Sequence, residues 1–169
     1  GYRRARMVSA LTLLRADDSV QARDRWSYVL LVEELRRASV RPREDAVELF
    51  RRMAFNALIS NTDDHPRNHA LIAPGAAWRL APAYDLTPTS PVALDRRDLA
   101  MACGDQGRRA GAANLESQAA RFLLATDEAA QILAGMESTI RARWLPVCRA
   151  CGVTAVDCER IAGAFAYPG

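Results

Sequence analysis

Residues 61–68, NTDDHPRN, place two aspartates, a histidine, an arginine and two asparagines directly after the apolar run MAFNALIS. A surface turn needs far fewer polar side chains than this, because one or two turn-forming residues suffice to reverse the chain. Carboxylate and amide oxygens are the ligands that Mg²⁺ prefers, and a carboxylate can also accept a proton from a reacting hydroxyl group. The segment is therefore a candidate for catalytic and metal-binding chemistry.

Two of these residues form a longer pattern with Asp85. Asn68 follows Asp63 by five positions, and two short apolar segments, 69–73 and 77–82, predict a β-hairpin before Asp85. Because a hairpin leads out and back, Asp85 can return to the side of Asn68. Kinase-fold phosphotransferases use this order of parts: an Asp for the acceptor hydroxyl, then an Asn and a second Asp for Mg²⁺ at the nucleotide phosphates. The pattern predicts phosphoryl transfer, with Asp63 as the catalytic residue and Asn68 and Asp85 as metal ligands.

Each of these residues also has a simpler interpretation as part of a turn. Asp63, Asn68 and Asp85 could each cap or form a turn, and only their combination favours chemistry. Of the two adjacent aspartates, Asp64 fits the spacing less well and is predicted to have the turn role. Asn61 is predicted to end the preceding helix.

A metal-dependent hydrolase is an alternative interpretation of the same stretch, with Asp63, Asp64, His65 and His69 as ligands. The two histidines are the only ones in the chain and are four positions apart, as zinc ligands on a helix can be. Pro66 lies between them and argues against a helix there. We therefore expect His65 to fix the loop through a hydrogen bond, and His69 to begin the following strand.

The other polar residues near the pattern are assigned to structure or solvent. Arg67 is predicted to be solvated or to pair with an acid of the loop, and Tyr84 to belong to the core. A solvated surface is also the prediction for the arginines of the next segment, which are Arg96, Arg97, Arg108 and Arg109.

The elements that must position these residues are predicted to be mainly helical. Apolar residues recur at helical spacing in 22–38 and 44–60, and the second segment is apolar enough to indicate a buried central helix. A helix start at Thr126 and a stop at Gly152 frame the longest of the C-terminal helices. Those helices are predicted over 114–124, 126–150 and 154–165. With a short strand at 3–8, the fold class is mainly α with a small β-hairpin.

Composition narrows the class of protein. The chain has 169 residues, half of them apolar and a quarter charged, which suits one domain or one lobe of a larger enzyme. A formal net charge of +3 is too small to indicate direct nucleic-acid binding. No apolar run is long enough to span a bilayer, and no signal peptide is evident, so a cytoplasmic location without membrane partners is expected.

The four cysteines are expected to be reduced and mostly buried. Cys148 and Cys151 have the only motif-like spacing, and a zinc site would need a second pair of ligands nearby. A disulfide scaffold is not expected in a chain of this size without export signals.

The stretch FNALISNTDDHPRNHALI, followed by WRLAPAYDLTP, resembles the C-terminal region of HipA-like serine/threonine kinases, the toxins of bacterial toxin–antitoxin pairs. The similarity extends to DRRDLAM and to the closing AFAYPG. It implies that Asp63 is the catalytic aspartate and that Asn68 and Asp85 bind Mg²⁺ together with ATP. It also implies that residues 1–169 form the C-terminal lobe of a protein-kinase-like fold, with a helix-turn-helix antitoxin and a protein substrate as partners.

The family's smaller N-terminal lobe has no counterpart in this sequence. That lobe carries a phosphate-contacting loop and a nucleotide-binding lysine, whereas all 23 basic residues here are arginine. The opening GYRRARMV also resembles the middle of a longer chain. We therefore expect the isolated chain to be inactive as a kinase without the missing lobe, and a non-catalytic lobe that still binds an antitoxin is the alternative.

Overall fold

The computed structural model describes residues 4–19, 21, 23–93 and 95–167 of the chain. Within this part, three strands form one sheet: β1 (Arg6–Ser9), β2 (Ala70–Ala73) and β3 (Arg79–Leu80). The α-helices are α1 (Ala10–Leu13), α2 (Tyr28–Ala38), α3 (Pro42–Leu58), α4 (Ala112–Glu116), α5 (Thr126–Ala150) and α6 (Ala155–Ile161). Short 3-10 helices span Arg23–Arg25, Pro66–Asn68, Ala119–Phe122 and Ala162–Phe165. The prediction of a mainly helical fold with a small hairpin is confirmed.

Helices α2 and α3 form the centre of the molecule. The Ser27 hydroxyl accepts the backbone N–H groups of Val29 and Leu30 at 3.2 and 3.3 Å, which starts α2. Helix α3 begins with Pro42, whose missing N–H would have no helical partner in any case. The two helices pack against each other and bury their apolar faces, with Leu31, Val32, Leu35, Leu49, Phe50, Met53 and Ala57 in the core. Both helices were predicted from their apolar periodicity, although α2 begins later than expected.

The sheet has the order β1–β2–β3 and is antiparallel throughout. Met7 lies opposite Ile72, and Leu71 lies opposite Leu80, so the predicted hairpin gains β1 as a third strand. Strand β3 is shorter than the predicted 77–82: Trp78 pairs with Ser39 and not with β2, and Pro82 has no N–H to donate.

A buried carboxylate joins the sheet to α3. Asp45, in the first turn of α3, accepts the Leu80 backbone N–H at 2.9 Å and the Ser39 hydroxyl at 2.5 Å. The start of the helix that leads to the candidate site is thereby fixed to the edge strand of the sheet.

Residues 112–165 are mainly helical, and the helix predicted over 154–165 is α6 continued by a 3-10 turn. Helix α5 spans the predicted residues and ends before Gly152, whose φ of +83° is the left-handed conformation that terminates helices. The helix predicted over 114–124 is instead broken into α4 and a 3-10 turn. Its side chains explain the break: Ser117 Oγ donates to the Asn114 carbonyl at 2.6 Å and accepts the Asp105 N–H at 3.0 Å. Such side-chain bonds compete with helical ones.

Arg97 corrects the prediction of a solvated arginine cluster. Its side chain is buried and donates to the carbonyls of Ala93, Gly163 and Ala166 at 3.1, 2.8 and 2.5 Å. It also donates to the Ser60 hydroxyl, which in turn donates to the Ala164 carbonyl. The other three arginines of the segment are exposed, as predicted. Arg97 therefore fastens the C-terminal 3-10 turn to Ser60, two positions beyond the end of α3.

All four cysteines lie in the described part of the chain, and none forms a disulfide. Cys103 and Cys158 are buried and Cys148 is partly buried, whereas Cys151 is exposed. None of the described helices is both long enough and apolar enough to cross a membrane.

Candidate functional site

The polar motif forms the loop between the end of α3 and the start of β2, as its sequence context predicts. The helix ends because Ser60 has a φ of +56°, so the chain turns sharply into the loop. The first loop residues, Ser60 and Asn61, are buried. The loop is thus built on the end of a rigid core helix.

Asp64 is the buried centre of this loop and does not cap a turn, so that prediction is wrong. Its side chain is fully buried, and its Oδ2 accepts the Tyr28 hydroxyl and lies 2.7 Å from His69 Nε2. Burial first, and then the charge of Asp64, raise the pKa of Tyr28 well above its ordinary value. The Tyr28 hydroxyl therefore keeps its proton and acts as a hydrogen-bond donor. His69 directly precedes β2, as predicted, and is buried against Asp64.

A buried chain of hydrogen bonds continues from Tyr28 to the second loop. Asn56 Nδ2, on α3, donates to the Tyr28 hydroxyl oxygen at 3.3 Å. Asn61 Nδ2 donates to Asn56 Oδ1 at 3.1 Å and to the Asp85 carbonyl oxygen at 3.2 Å. Helix α3 ends at Leu58, so Asn61 lies in the loop and does not end the helix as predicted; it connects the motif loop to Asp85. No local pattern indicates this connection, since the two residues lie on opposite sides of the hairpin.

Residues 84–89 lie alongside the motif loop through further contacts. The Tyr84 hydroxyl donates to the Arg67 carbonyl at 2.6 Å, and the Thr89 N–H donates to the Ser60 carbonyl at 3.1 Å. The Thr62 and Thr89 hydroxyl oxygens are 3.0 Å apart. Tyr84 is 36% exposed, so its predicted place in the core is wrong. The hairpin does return the chain to the motif loop, as the pattern requires.

The three predicted site residues share one property. Asp63 and Asp85 are exposed and Asn68 is mostly buried, yet none of their side chains forms a hydrogen bond or ion pair with another described residue. The neighbouring side chains of Asn61, Thr62 and Asp64 are all engaged within the protein. The oxygens of Asp63, Asn68 and Asp85 therefore remain available for ligands.

His65 and Arg67 support the outer side of the loop. Arg67 Nη2 lies 3.3 Å from His65 Nε2, which matches the predicted role of His65 in fixing the loop. Arg67 also forms an ion pair with Asp18. The partner of Arg67 is thus an acid from the N-terminal part of the chain and not one of the motif.

The hydrolase alternative finds no metal centre in the described residues. No group of three or more histidine, cysteine, aspartate or glutamate side chains is placed there to hold a metal ion. Asp64 and His69 face each other in the interior, whereas the neighbouring Asp63 is exposed. The four residues proposed as hydrolase ligands therefore do not converge.

A Mg²⁺ ion needs fewer protein ligands than the metal centre of a hydrolase. It keeps several waters and commonly takes one or two protein oxygens together with oxygens of a phosphate ligand. The exposed Asp85 carboxylate and the unengaged Asn68 amide oxygen are donors of the right kind. Their loops are held together by the Tyr84–Arg67 hydrogen bond, which joins the residues next to each of them. Oxygens of this kind are ones that Mg²⁺ binds.

Two comparisons with known proteins bear on this site. A family model described as the HipA-like C-terminal domain matches residues 2–144. A protein of Sinorhizobium fredii named "Putative kinase Y4mE" is 37% identical over 57 residues, which are 34% of this chain and 14% of that protein. The matched segment thus covers a small part of that relative's length.

Proposed function

This chain belongs to the family of HipA-like C-terminal domains, and we propose that it is the catalytic lobe of an ATP- and Mg²⁺-dependent serine/threonine protein kinase. The observation that carries the proposal is the set of three unengaged side chains, Asp63, Asn68 and Asp85, on two loops that hydrogen bonds hold together. The kinase name of the Sinorhizobium fredii relative supports the same reaction class.

Asp63 is the proposed catalytic residue. Its carboxylate is exposed at the tip of the loop, while its backbone is anchored by the buried side chain of Asp64 next to it. In this position it can orient a serine or threonine hydroxyl of the protein substrate and accept its proton as the phosphoryl group is transferred.

Asn68 and Asp85 are the proposed Mg²⁺ ligands, and through the metal they hold the nucleotide phosphates. When bound, Mg²⁺ would neutralise the negative charge of the ATP phosphates, which is the main requirement of phosphoryl transfer. Asp85 contributes a charged oxygen and Asn68 a neutral one. Asp85 should therefore contribute more to metal affinity.

The rest of the nucleotide site is proposed to come from outside these 169 residues. The chain contains no lysine, and kinases use a lysine to hold the ATP phosphates. We propose that an N-terminal lobe supplies it, that the isolated chain does not turn over ATP at a useful rate, and that a helix-turn-helix antitoxin binds the assembled protein in the cytoplasm.

The role of Asp63 is tested in a chain joined to an N-terminal lobe of a family member. Asp63→Asn keeps the shape of the side chain and removes its basicity. We expect single-turnover phosphorylation to slow by roughly 10²- to 10⁴-fold, the contribution of a general base, with nucleotide affinity nearly unchanged. Full activity of Asp63→Asn would remove the proposed catalytic role.

The metal ligands are tested by titrating nucleotide with and without Mg²⁺. Asp85→Ala should weaken the Mg²⁺-dependent part of nucleotide binding as well as the rate, and Asn68→Ala should do so more mildly, because a neutral amide attracts a cation less. Variants that bind nucleotide with an unchanged Mg²⁺ dependence would contradict the assignment.

A further inference from the structure

We infer that Tyr84 and Asn61 are positioning residues that hold Asp85 in a left-handed backbone conformation beside the motif loop. The effect on Mg²⁺ binding rests on the function proposed above, whereas the backbone conformation of Asp85 can be tested without any metal. Neither residue touches the reacting atoms. Tyr84 holds the backbone before the Asp85 α-carbon, and Asn61 holds the carbonyl group after it.

The backbone of Asp85 is unusual for a residue with a side chain. Its φ is +57°, in the left-handed region that most residues avoid and that aspartate and asparagine enter more readily than others. Such a conformation persists only where the surrounding contacts determine it, and it often occurs at functional sites. Asp85 itself is exposed, so packing of its side chain does not explain the conformation.

Two hydrogen bonds on either side of Asp85 supply the constraint. On one side, the Asp85 carbonyl oxygen accepts Asn61 Nδ2 at 3.2 Å, and Asn61 is 3% exposed and anchored by Asn56. On the other side, the hydroxyl of Tyr84 donates to the Arg67 carbonyl at 2.6 Å. The chain is thus attached to the motif loop at two points, one through the Tyr84 side chain and one through the Asp85 carbonyl group.

The Tyr84 hydroxyl donates to the motif-loop backbone immediately before Asn68. Because Arg67 directly precedes Asn68, and Tyr84 directly precedes Asp85, this one contact links the two backbone segments that carry the proposed metal ligands.

The first measurement is the conformation of Asp85 in the metal-free 169-residue chain. The Cα, Cβ and Hα chemical shifts of Asp85 report the sign of φ in solution. Tyr84→Phe removes one hydroxyl from a partly exposed ring, and we expect the Asp85 shifts to move from left-handed values towards averaged ones. Tyr167→Phe is the matched control, since the Tyr167 hydroxyl has no hydrogen-bond partner among the described residues.

Asn61→Ala tests the second contact and should move the same shifts further. Its control is Asn114→Ala, which also removes a buried amide, one that donates to the Arg109 and Gly107 carbonyls at 2.8 and 3.2 Å in a different loop. If Tyr84→Phe and Asn61→Ala both leave the Asp85 shifts at their wild-type values, the inference is overturned.

The second measurement is a titration with Mn²⁺, which replaces Mg²⁺ and broadens the signals of nearby nuclei. If the wild-type signals of Asn68 and Asp85 broaden together, Tyr84→Phe should need roughly 2- to 10-fold more Mn²⁺ for the same effect, the value of one hydrogen bond. An unchanged requirement in Tyr84→Phe would overturn the positioning role. If Mn²⁺ and ATP together broaden neither signal in the wild-type chain joined to an N-terminal lobe, the proposed metal site fails, and the chemical shifts still decide the conformational inference.

Discussion

Two neighbouring aspartates in the motif loop have opposite environments. Asp63 is exposed without a partner in the described structure, whereas Asp64 is fully buried, accepts a hydrogen bond from Tyr28 and lies 2.7 Å from His69 Nε2. A buried carboxylate is tolerated only when hydrogen bonds replace its lost hydration. Asp64 thus anchors the loop immediately next to the exposed Asp63.

Asp64→Ala should destabilise the fold strongly. The substitution leaves the Tyr28 hydroxyl and the His69 ring buried without their acceptor, and we expect the free energy of unfolding to fall by about 2–5 kcal/mol. Urea denaturation followed by circular dichroism measures this change. Asp63→Ala is the control and should alter stability little, since that side chain is exposed. Equal losses for the two variants would show that Asp64 is not the anchor.

The motif loop is fixed at the level of elements by three separate attachments. The end of α3 precedes it, β2 follows it, and residues 84–89 lie against it through Tyr84 and Thr89. The C-terminal 3-10 turn is a further support, because Ser60 donates to the Ala164 carbonyl and both contact Arg97. Segments distant in sequence therefore meet at the point where α3 becomes the loop.

Arg97→Met tests the attachment of the C-terminal turn. It keeps an unbranched apolar side chain but removes the side-chain donor of the Ala166 carbonyl and one of the two donors of the Gly163 carbonyl. We expect a loss of about 2–4 kcal/mol in the free energy of unfolding and faster proteolysis near residues 160–167. Arg96→Met is the control: Arg96 is exposed and pairs with Asp98 at the surface, so both measurements should stay close to wild type. The same proteolysis rate in both variants would rule out the attachment.

At the scale of the whole molecule, one core joins the N-terminal and C-terminal halves. Phe50 of α3 packs edge-to-face on Phe122 with ring centroids 5.5 Å apart, and Leu133 of α5 belongs to the same cluster. Cys103 is buried in this cluster, and burial raises the pKa of its thiol to about 12. Its reactivity should therefore report on the integrity of the whole core.

Alkylation of the native protein should follow the burial of the four thiols. With iodoacetamide at about pH 8, the exposed Cys151 should react first. Cys103 should react only as the core opens, because the reagent cannot reach the buried thiol and little of that thiol is in the reactive thiolate form. Mass spectrometry of peptides over time gives the order. In denaturant the thiols should react at similar rates, which is the control. Native labelling of Cys103 as fast as Cys151 would contradict the buried core.

The sequence by itself determined the elements and the order of the site. Apolar periodicity located α3, and helix start and stop residues framed α5. The polar motif was correctly placed between a buried helix and a hairpin, and the spacing of Asp63, Asn68 and Asp85 is visible without any structure. These features are local: periodicity, helix starts and stops, and turn residues depend on neighbours within a few positions. The catalytic and metal-binding roles of the three residues remain predictions.

Only the tertiary structure decided which polar residues serve as supports. The sequence predicts a turn for Asp64, solvent for Arg97 and the core for Tyr84. In the structure, Asp64 and Arg97 form hydrogen bonds with partners distant in sequence, and Tyr84 forms one across the hairpin. The same residue types occur in turns, on surfaces and in buried networks, so composition and spacing do not separate these cases. The difference is set by desolvation: a polar group removed from water must find a partner, and which partner is within reach depends on how the helices and the sheet pack.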